Sequence, residues 1–213
     1  MKVLKREAGM AIDPRTGERV YATVKQWILS GELKLRQRLD IDTLAERLSA
    51  SATPVRHALA ILSAERLVSA HASRGYYVAF WSERELKALY EWRGQLALLA
   101  AAGFQAASGD AKPKGNVLEI YQALMRRLER GANDELKRAA QNADERLRAA
   151  HLAEAEEIAD LVEEQKRLCT AISAGERRRL ARVLKSYFKR RIDAVPALRA
   201  RASIAALPRN GDG

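Results

Sequence analysis

Between Asp40 and Val78 the apolar residues change their spacing from that of a helix to that of a strand, and this switch is the tightest constraint on the fold. Asp40 can cap a short helix in which Ile41, Leu44, Ala45 and Leu48 form one apolar stripe. Ser49-Ala50-Ser51-Ala52 reads as a turn. The next helix is expected to open with Thr53 as N-cap and Pro54 at its first position, where the missing proline N–H does no harm. Val55, Ala58, Leu59 and Leu62 then face inward, while Arg56, His57 and Ala60 face outward. From Leu67 the period becomes two. Leu67-Val68 and Tyr76-Tyr77-Val78 read as short strands joined by the turn Ala72-Ser73-Arg74-Gly75. Upstream, Val20, Val24, Trp27 and Ile28 predict a further helix that stops at Gly31.

Three short helices followed by a β-hairpin make a winged helix-turn-helix, assigned to residues 17–80. Such an arrangement suits DNA. A helix N-terminus points backbone N–H groups and a positive dipole end at phosphate. Side chains of its first turn reach base edges in the major groove. A basic, glycine-containing hairpin tip can enter the minor groove or follow the backbone. Charge agrees: the chain has 213 residues and a formal net charge of +11. Residues 1–80 hold 13 Lys/Arg against 8 Asp/Glu, a net of +5. A basic balance of this kind favours a polyanionic partner.

After Trp81 the strand pattern ends. Residues 81–207 read as an all-helical bundle, interrupted by a loop at residues 108–115, so the fold class is mainly α. Residues 1–16 read as a flexible arm and 208–213 as a flexible tail. A long helix from about Ser82 to Ala107 carries Leu86, Tyr90, Ala97, Ala100 and Phe104 on one face. Arg93 lies on that same face and requires an anion, because an unpaired buried charge is costly. Residues 176–191 are strongly basic around an apolar stripe of Leu180, Val183, Leu184 and Tyr187. That segment reads either as a core-packed helix with a solvated basic face or as an additional surface for an acidic partner.

The single cysteine, Cys169, excludes an intrachain disulfide and reads as a core residue rather than a nucleophile. No secretory leader pattern and no membrane-length apolar run is present, so a cytoplasmic location is expected. No Gly-rich phosphate loop, nucleophile elbow or metal-spaced cysteine pair occurs, and neither an enzyme nor a resident cofactor is expected.

The stretch LAERLSASATPVRHALAILSAERLV, followed by SRGYYVAFWSERELKALYEWR, resembles the GntR family of bacterial transcription regulators, in its branch with an all-helical FCD ligand-binding domain. The matching residues are Leu44-Ala45, Leu48, Ser51, Thr53-Pro54-Val55-Arg56, Ala58-Leu59, Leu67-Val68 and Arg74-Gly75. The resemblance implies DNA contacts from Ser51, Thr53, Pro54, Arg56 and His57 on the recognition helix and from Ser73, Arg74 and Gly75 on the wing. Solvated surface residues are the alternative for Arg56, His57 and Arg74. It also implies that Arg93, within Tyr90-Glu91-Trp92-Arg93, lines an effector cavity and pairs with a ligand carboxylate. A structural salt bridge to a glutamate of a neighbouring helix is the other reading.

Four positions depart from the family pattern. Ala52 stands where an arginine is usual, His57 where a glutamate is, Asp42 where a basic residue is common, and Arg66 where a glycine precedes Leu-Val. Many members of this branch hold a divalent metal through an aspartate and three histidines. Beyond residue 80 the only histidine is His151, so that ligand set cannot form and no metal is expected. The resemblance puts Gln165 and about Tyr187 where histidines are expected; the earlier Asp-x-x-Phe-His element has no unique place, one candidate being Asp144 to Arg148 with Arg148 in the histidine's position, and the helical domain reads as shortened relative to the family's.

These readings converge on a transcription regulator that binds double-stranded operator DNA as a homodimer on a palindrome, with a small organic acid as the effector that Arg93 would hold. The rivals are a ligand-independent dimer whose helical domain only pairs subunits, a non-specific nucleic-acid binder, and a helical enzyme carried on a DNA-binding head. The last has no motif behind it.

Overall fold

The computed structural model describes residues 14–106 and 113–205. The expectations for the arm, the tail and most of the 108–115 loop fall outside the described residues. The chain divides between Ala79 and Phe80 into two compact units.

In the first unit, α1 (Pro14–Ser30) is followed by β1 (Arg38–Leu39), α2 (Ile41–Arg47), α3 (Ala52–Ala64), β2 (Val68–His71) and β3 (Gly75–Val78). One core joins them. Val20 and Val24 of α1 meet Leu44 and Leu48 at α2, and Val55, Ala58, Leu59 and Leu62 of α3, all buried. These are the positions the helical period selected. The hairpin pairs Val68 with Val78 and Ala70 with Tyr76, and the sheet order is β1-β3-β2. The sequence did not suggest β1. Two residues carry no period, and what makes Arg38–Leu39 a strand is the free edge of β3, whose backbone groups need partners.

The entry to α3 differs from expectation. Ser51, not Thr53, is the N-cap, and Pro54 is the third helical residue. An N-cap side chain normally accepts from the N–H of the second or third residue. Pro54 has no N–H to offer, and the Ser51 side chain makes no capping bond. At α2 the expected cap holds, with the Asp40 carboxylate accepting from the Thr43 N–H at 2.9 Å.

The second unit is helical throughout its described residues: α4 (Glu83–Gly103), α5 (Val117–Leu128), α6 (Asp134–Glu157), α7 (Leu161–Ala174), α8 (Arg177–Asp193) and α9 (Val195–Ala205). A capping box fixes the start of α4, where the Ser82 hydroxyl accepts from the Glu85 N–H and the Glu85 carboxylate accepts from the Ser82 N–H. Its expected inward face is buried, from Leu86 through Tyr90, Ala97 and Ala100 to Phe104. Helices α4 and α8 lie close because Gly94 carries no side chain: a Cβ there would stand 3.1 Å from the Phe188 ring. No helix is long and apolar enough to cross a membrane among the described residues.

Candidate nucleic-acid interface

The packing of α3 decides which of its side chains reach solvent. Val55, Ala58, Leu59 and Leu62 are fixed in the core. Thr53, Arg56, His57 and Ala60 therefore form an exposed row on the opposite face, and Ser51 is exposed at the cap. Pro54 is buried, so its part in this end of the helix is to shape the backbone. The first-turn N–H groups of an α-helix have no intrahelical acceptor, and no side chain caps them here. The exposed row thus begins at an open, positively polarised helix end.

The wing presents Ser73, Arg74 and Gly75, all exposed. The Arg74 N–H donates to the His71 carbonyl at 3.1 Å and closes the turn. Gly75 has φ +84°, a left-handed conformation that glycine adopts without steric cost, and it pairs with His71 as the hairpin begins. His71 packs edge-on against Tyr77 with ring centres 5.6 Å apart, which stiffens the base of the tip.

The second unit has a different centre, a buried network of charges and phenols contributed by five helices. Arg93 of α4 is wholly buried. Its Nε donates to Asp144 Oδ1 at 2.7 Å and its Nη2 to Asp144 Oδ2 at 3.0 Å, a two-bond fork. Nη2 also lies 2.7 Å from Glu129 Oε1 at the end of α5. The Tyr121 hydroxyl donates to Asp144 Oδ1 at 2.7 Å. On the next turns of α6, His151 Nδ1 lies 2.7 Å from Glu154 Oε1, and the Tyr90 hydroxyl donates to that same oxygen at 2.9 Å. Arg191 of α8, also fully buried, donates through Nε to Glu154 Oε2 at 3.1 Å and through Nη1 to Glu164 Oε2 at 2.6 Å, with its guanidinium 3.3 Å from the Tyr187 ring centre.

Burial works against every charge in this network, and the pairing decides the outcome. Burial pushes the Asp144 carboxyl up, but Arg93 and His151 pull it down to about 2. Burial likewise opposes ionisation of Glu154, yet His151 and Arg191 hold it below the usual range. For His151 burial pulls downward, and the carboxylates of Glu154 and Asp144 outweigh it, so its pKa stands above the ordinary imidazole value. Glu129 goes the other way: its burial exceeds what its one contact with Arg93 returns, and its pKa is raised.

Residues 16–78 match the family profile of the bacterial regulatory proteins, gntR family. That match lies within the first unit and makes it similar to the gntR family's domain. Over 108 residues the chain is 31% identical to the HTH-type transcriptional repressor GlaR of Escherichia coli (strain K12). That match covers 48% of this chain and spans 49%, about half the length, of the relative. The fold is also that of a transcriptional regulator GntR from Rhodococcus sp. RHA1, with a TM-score of 0.71, 18% identity, and coverage of 86% of this chain and 98% of that one. E. coli McbR/YncC is similar at a TM-score of 0.55 and 20% identity, covering 85% of this chain and 97% of the other.

Within residues 16–78 three of the four departures from that family's pattern are exposed, Asp42, His57 and Arg66, the last with φ +59°, while Ala52 is half-buried at the start of α3. In the second unit Gln165 donates to the Val117 carbonyl at 2.6 Å, and Tyr187 stacks on Tyr121 with ring centres 5.9 Å apart. Sequence reasoning missed Arg191 by grouping it with the basic face of its helix. Its spacing from Leu180, Leu184 and Tyr187 is 11, 7 and 4 residues, which puts it on the apolar stripe, and that signal was available.

Proposed function

We propose that the chain is a DNA-binding transcription regulator whose recognition helix α3 and β2–β3 wing read an operator half-site. The observation that carries this reading is the exposed row Thr53, Arg56 and His57 at the uncapped start of α3, within the segment that matches the gntR family's profile. On this reading Ser51, Thr53 and the first-turn N–H groups hold phosphate, Arg56 and His57 address base edges, and Ser73, Arg74 and Gly75 follow the minor groove or backbone beside them. The role places the protein in the cytoplasm with its DNA.

Two copies reading a palindrome follow from the geometry of such heads, whose half-sites lie about one helical turn apart. Support comes from α4, where Trp92 and Leu99, seven residues apart on one face, are 49% and 60% exposed. A second copy would cover this apolar stripe. We place the second unit in the family's all-helical branch, with subunit pairing as its task. Two readings of Arg93 were open, a ligand carboxylate or an internal carboxylate. Its fork on Asp144 and its contact with Glu129 favour the internal pairing, and with it a bundle that works without an effector.

The test is selection of bound fragments from sheared genomic DNA of the source organism, followed by anisotropy titration. We expect a palindrome bound far more tightly than random duplex, and a loss of about tenfold to a hundredfold in Arg56→Ala, the effect of about 1–3 kcal/mol for a good base contact. Equal binding to all fragments would replace the regulator reading with a non-specific binder. In light scattering the double variant Trp92→Glu/Leu99→Glu should run as a monomer; a persistent dimer would move the pairing surface elsewhere.

A further inference from the structure

The positive charge of the second unit is concentrated on one helix. Residues 81–213 hold 25 Lys/Arg against 19 Asp/Glu, a net of +6. Helix α8, Arg177–Asp193, holds eight Lys/Arg against one Asp, a net of +7. Outside α8, residues 81–213 are therefore slightly acidic.

The cations of α8 divide by face. Arg191 is buried in the charge network, Arg190 is bound to Glu164 and the Ala159 carbonyl, and Lys189 is bound to Asp193. Arg177, Arg178, Arg179, Arg182 and Lys185 are all exposed, and none has a carboxylate partner among the described residues. Arg178, Arg182, Lys185 and Lys189 recur at intervals of four, three and four residues, one row along the face opposite Leu180, Leu184 and Tyr187.

Elsewhere in the unit part of the exposed positive charge is paired within its own helix. On α6, Lys137 and Arg138 each have an acid three residues before them, Asp134 and Glu135, and on α7 Lys166 has Glu163. Helix α8 has no acid from residue 177 to 192. Its first turn moreover places three arginines at the positive end of the helix dipole, where the one adjacent acid, the N-cap Glu176, makes no side-chain capping bond. An external anion would relieve both conflicts.

We infer that the exposed face of α8 is a second contact surface for the phosphate backbone of duplex DNA. The inference rests on the proposed DNA-binding role. The row from Arg178 to Lys189 is about 16 Å long at the rise of an α-helix. That length runs past about five phosphates of one strand of a duplex. A membrane surface fits less well. A helix lying on a bilayer inserts its apolar face, and the apolar face of α8 is already buried in the bundle through Leu180, Leu184, Tyr187 and Phe188. An acidic protein partner would want an apolar centre within the patch, and this face has none.

The test uses the full chain and random-sequence duplex DNA, with affinity measured by anisotropy across a salt series. The variant is Arg178→Ala/Arg182→Ala/Lys185→Ala, whose changes are all exposed and favour helix. Each lost phosphate contact lowers the slope of log affinity against log salt by about 0.9. We expect the triple variant to weaken binding at least tenfold at low salt and to reduce the slope by about two to three. A second variant, Arg178→Lys/Arg182→Lys, keeps the charge and should keep the slope. An unchanged slope and affinity in the triple variant would overturn the inference. So would unchanged DNA binding together with lost binding to phosphatidylserine vesicles, which would assign the face to lipid. The two proposals fail separately. If the wild type shows no preferred sequence but the triple variant loses slope, the regulator reading falls and this surface stands. If a palindrome is recovered and the triple variant behaves as wild type, only this surface falls.

Discussion

Arg66 sits where the chain leaves α3 for the wing, with φ +59° and its N–H donating to the Ser63 carbonyl at 3.0 Å. The family pattern has glycine at this point, and the left-handed backbone explains why: only glycine takes it without a steric cost. The turn is set by its neighbours, since Leu62 and Leu67 on either side are buried and the Leu67 N–H donates to the Leu62 carbonyl at 2.9 Å. Arg66 therefore carries a strain that an exposed side chain does not repay within the protein. We predict that Arg66→Gly stabilises the first unit, by about 1 kcal/mol. Thermal unfolding reads the gain. The same variant separates a stability role from a binding role: if Arg66 was retained as a backbone contact, the more stable variant binds duplex DNA less tightly. A lower melting temperature in Arg66→Gly would show that the arginine side chain holds the turn through contacts of its own.

Helices α4 and α8 meet at Gly94, where the Phe188 ring would stand 3.1 Å from an added Cβ. A larger side chain must push the helices apart or turn Phe188 out of its site. We predict that Gly94→Val destabilises the second unit by about 1–3 kcal/mol, the usual cost of overpacking a filled core. Chemical denaturation followed by circular dichroism measures it, and an unchanged midpoint would mean that the interface is loose. This contact also marks what a sequence can reveal. The helices α1, α2 and α3 and the hairpin were legible because each buries a face whose period is local, as with Val55, Ala58, Leu59 and Leu62. The start of α3 was misplaced by two residues because Ser51 and Thr53 are both good caps, and the choice depends on where the helix must aim its core face. β1 was invisible because its reason for existing is the edge of β3. The recognition row of α3 could be read, since exposure is the complement of a legible stripe. The charge network could be read only at Arg93. Its partners Asp144 and Glu129 come from α6 and the end of α5, and Arg191 was hidden by the basic residues on either side of it.

Every buried charged residue among the described positions belongs to the second unit: Arg93, Glu129, His151, Glu154, Glu164 and Arg191. The first unit is held by an apolar core, so the two units respond differently to pH. Asp144 has its carboxyl at about 2 in the folded chain against an ordinary 3.8. A lowered pKa means that its stabilisation is complete above 3.8 and is lost as pH falls through about 2. The shift corresponds to about 2 kcal/mol. Glu154, also lowered, acts with the same sign. Glu129, raised by burial, acts with the opposite sign and recovers a part as it is protonated. His151, raised above 6.5, contributes stability that is complete below 6.5 and is lost as pH rises through its folded value. The second unit should thus be most stable between about pH 4.5 and 6.5, and should open before the first unit as pH falls toward 2. Hydrogen exchange read by mass spectrometry resolves the two units in one experiment. We expect peptides from α6 and α8 to lose protection in acid while those from α1 and α3 keep it. In Asp144→Asn the acid-side loss should shrink, because the neutral amide has no proton to take up, and the variant should already be less stable at pH 6. Equal loss of protection in both units across the acid range would mean that the buried ion pairs do not set the pH response of the fold.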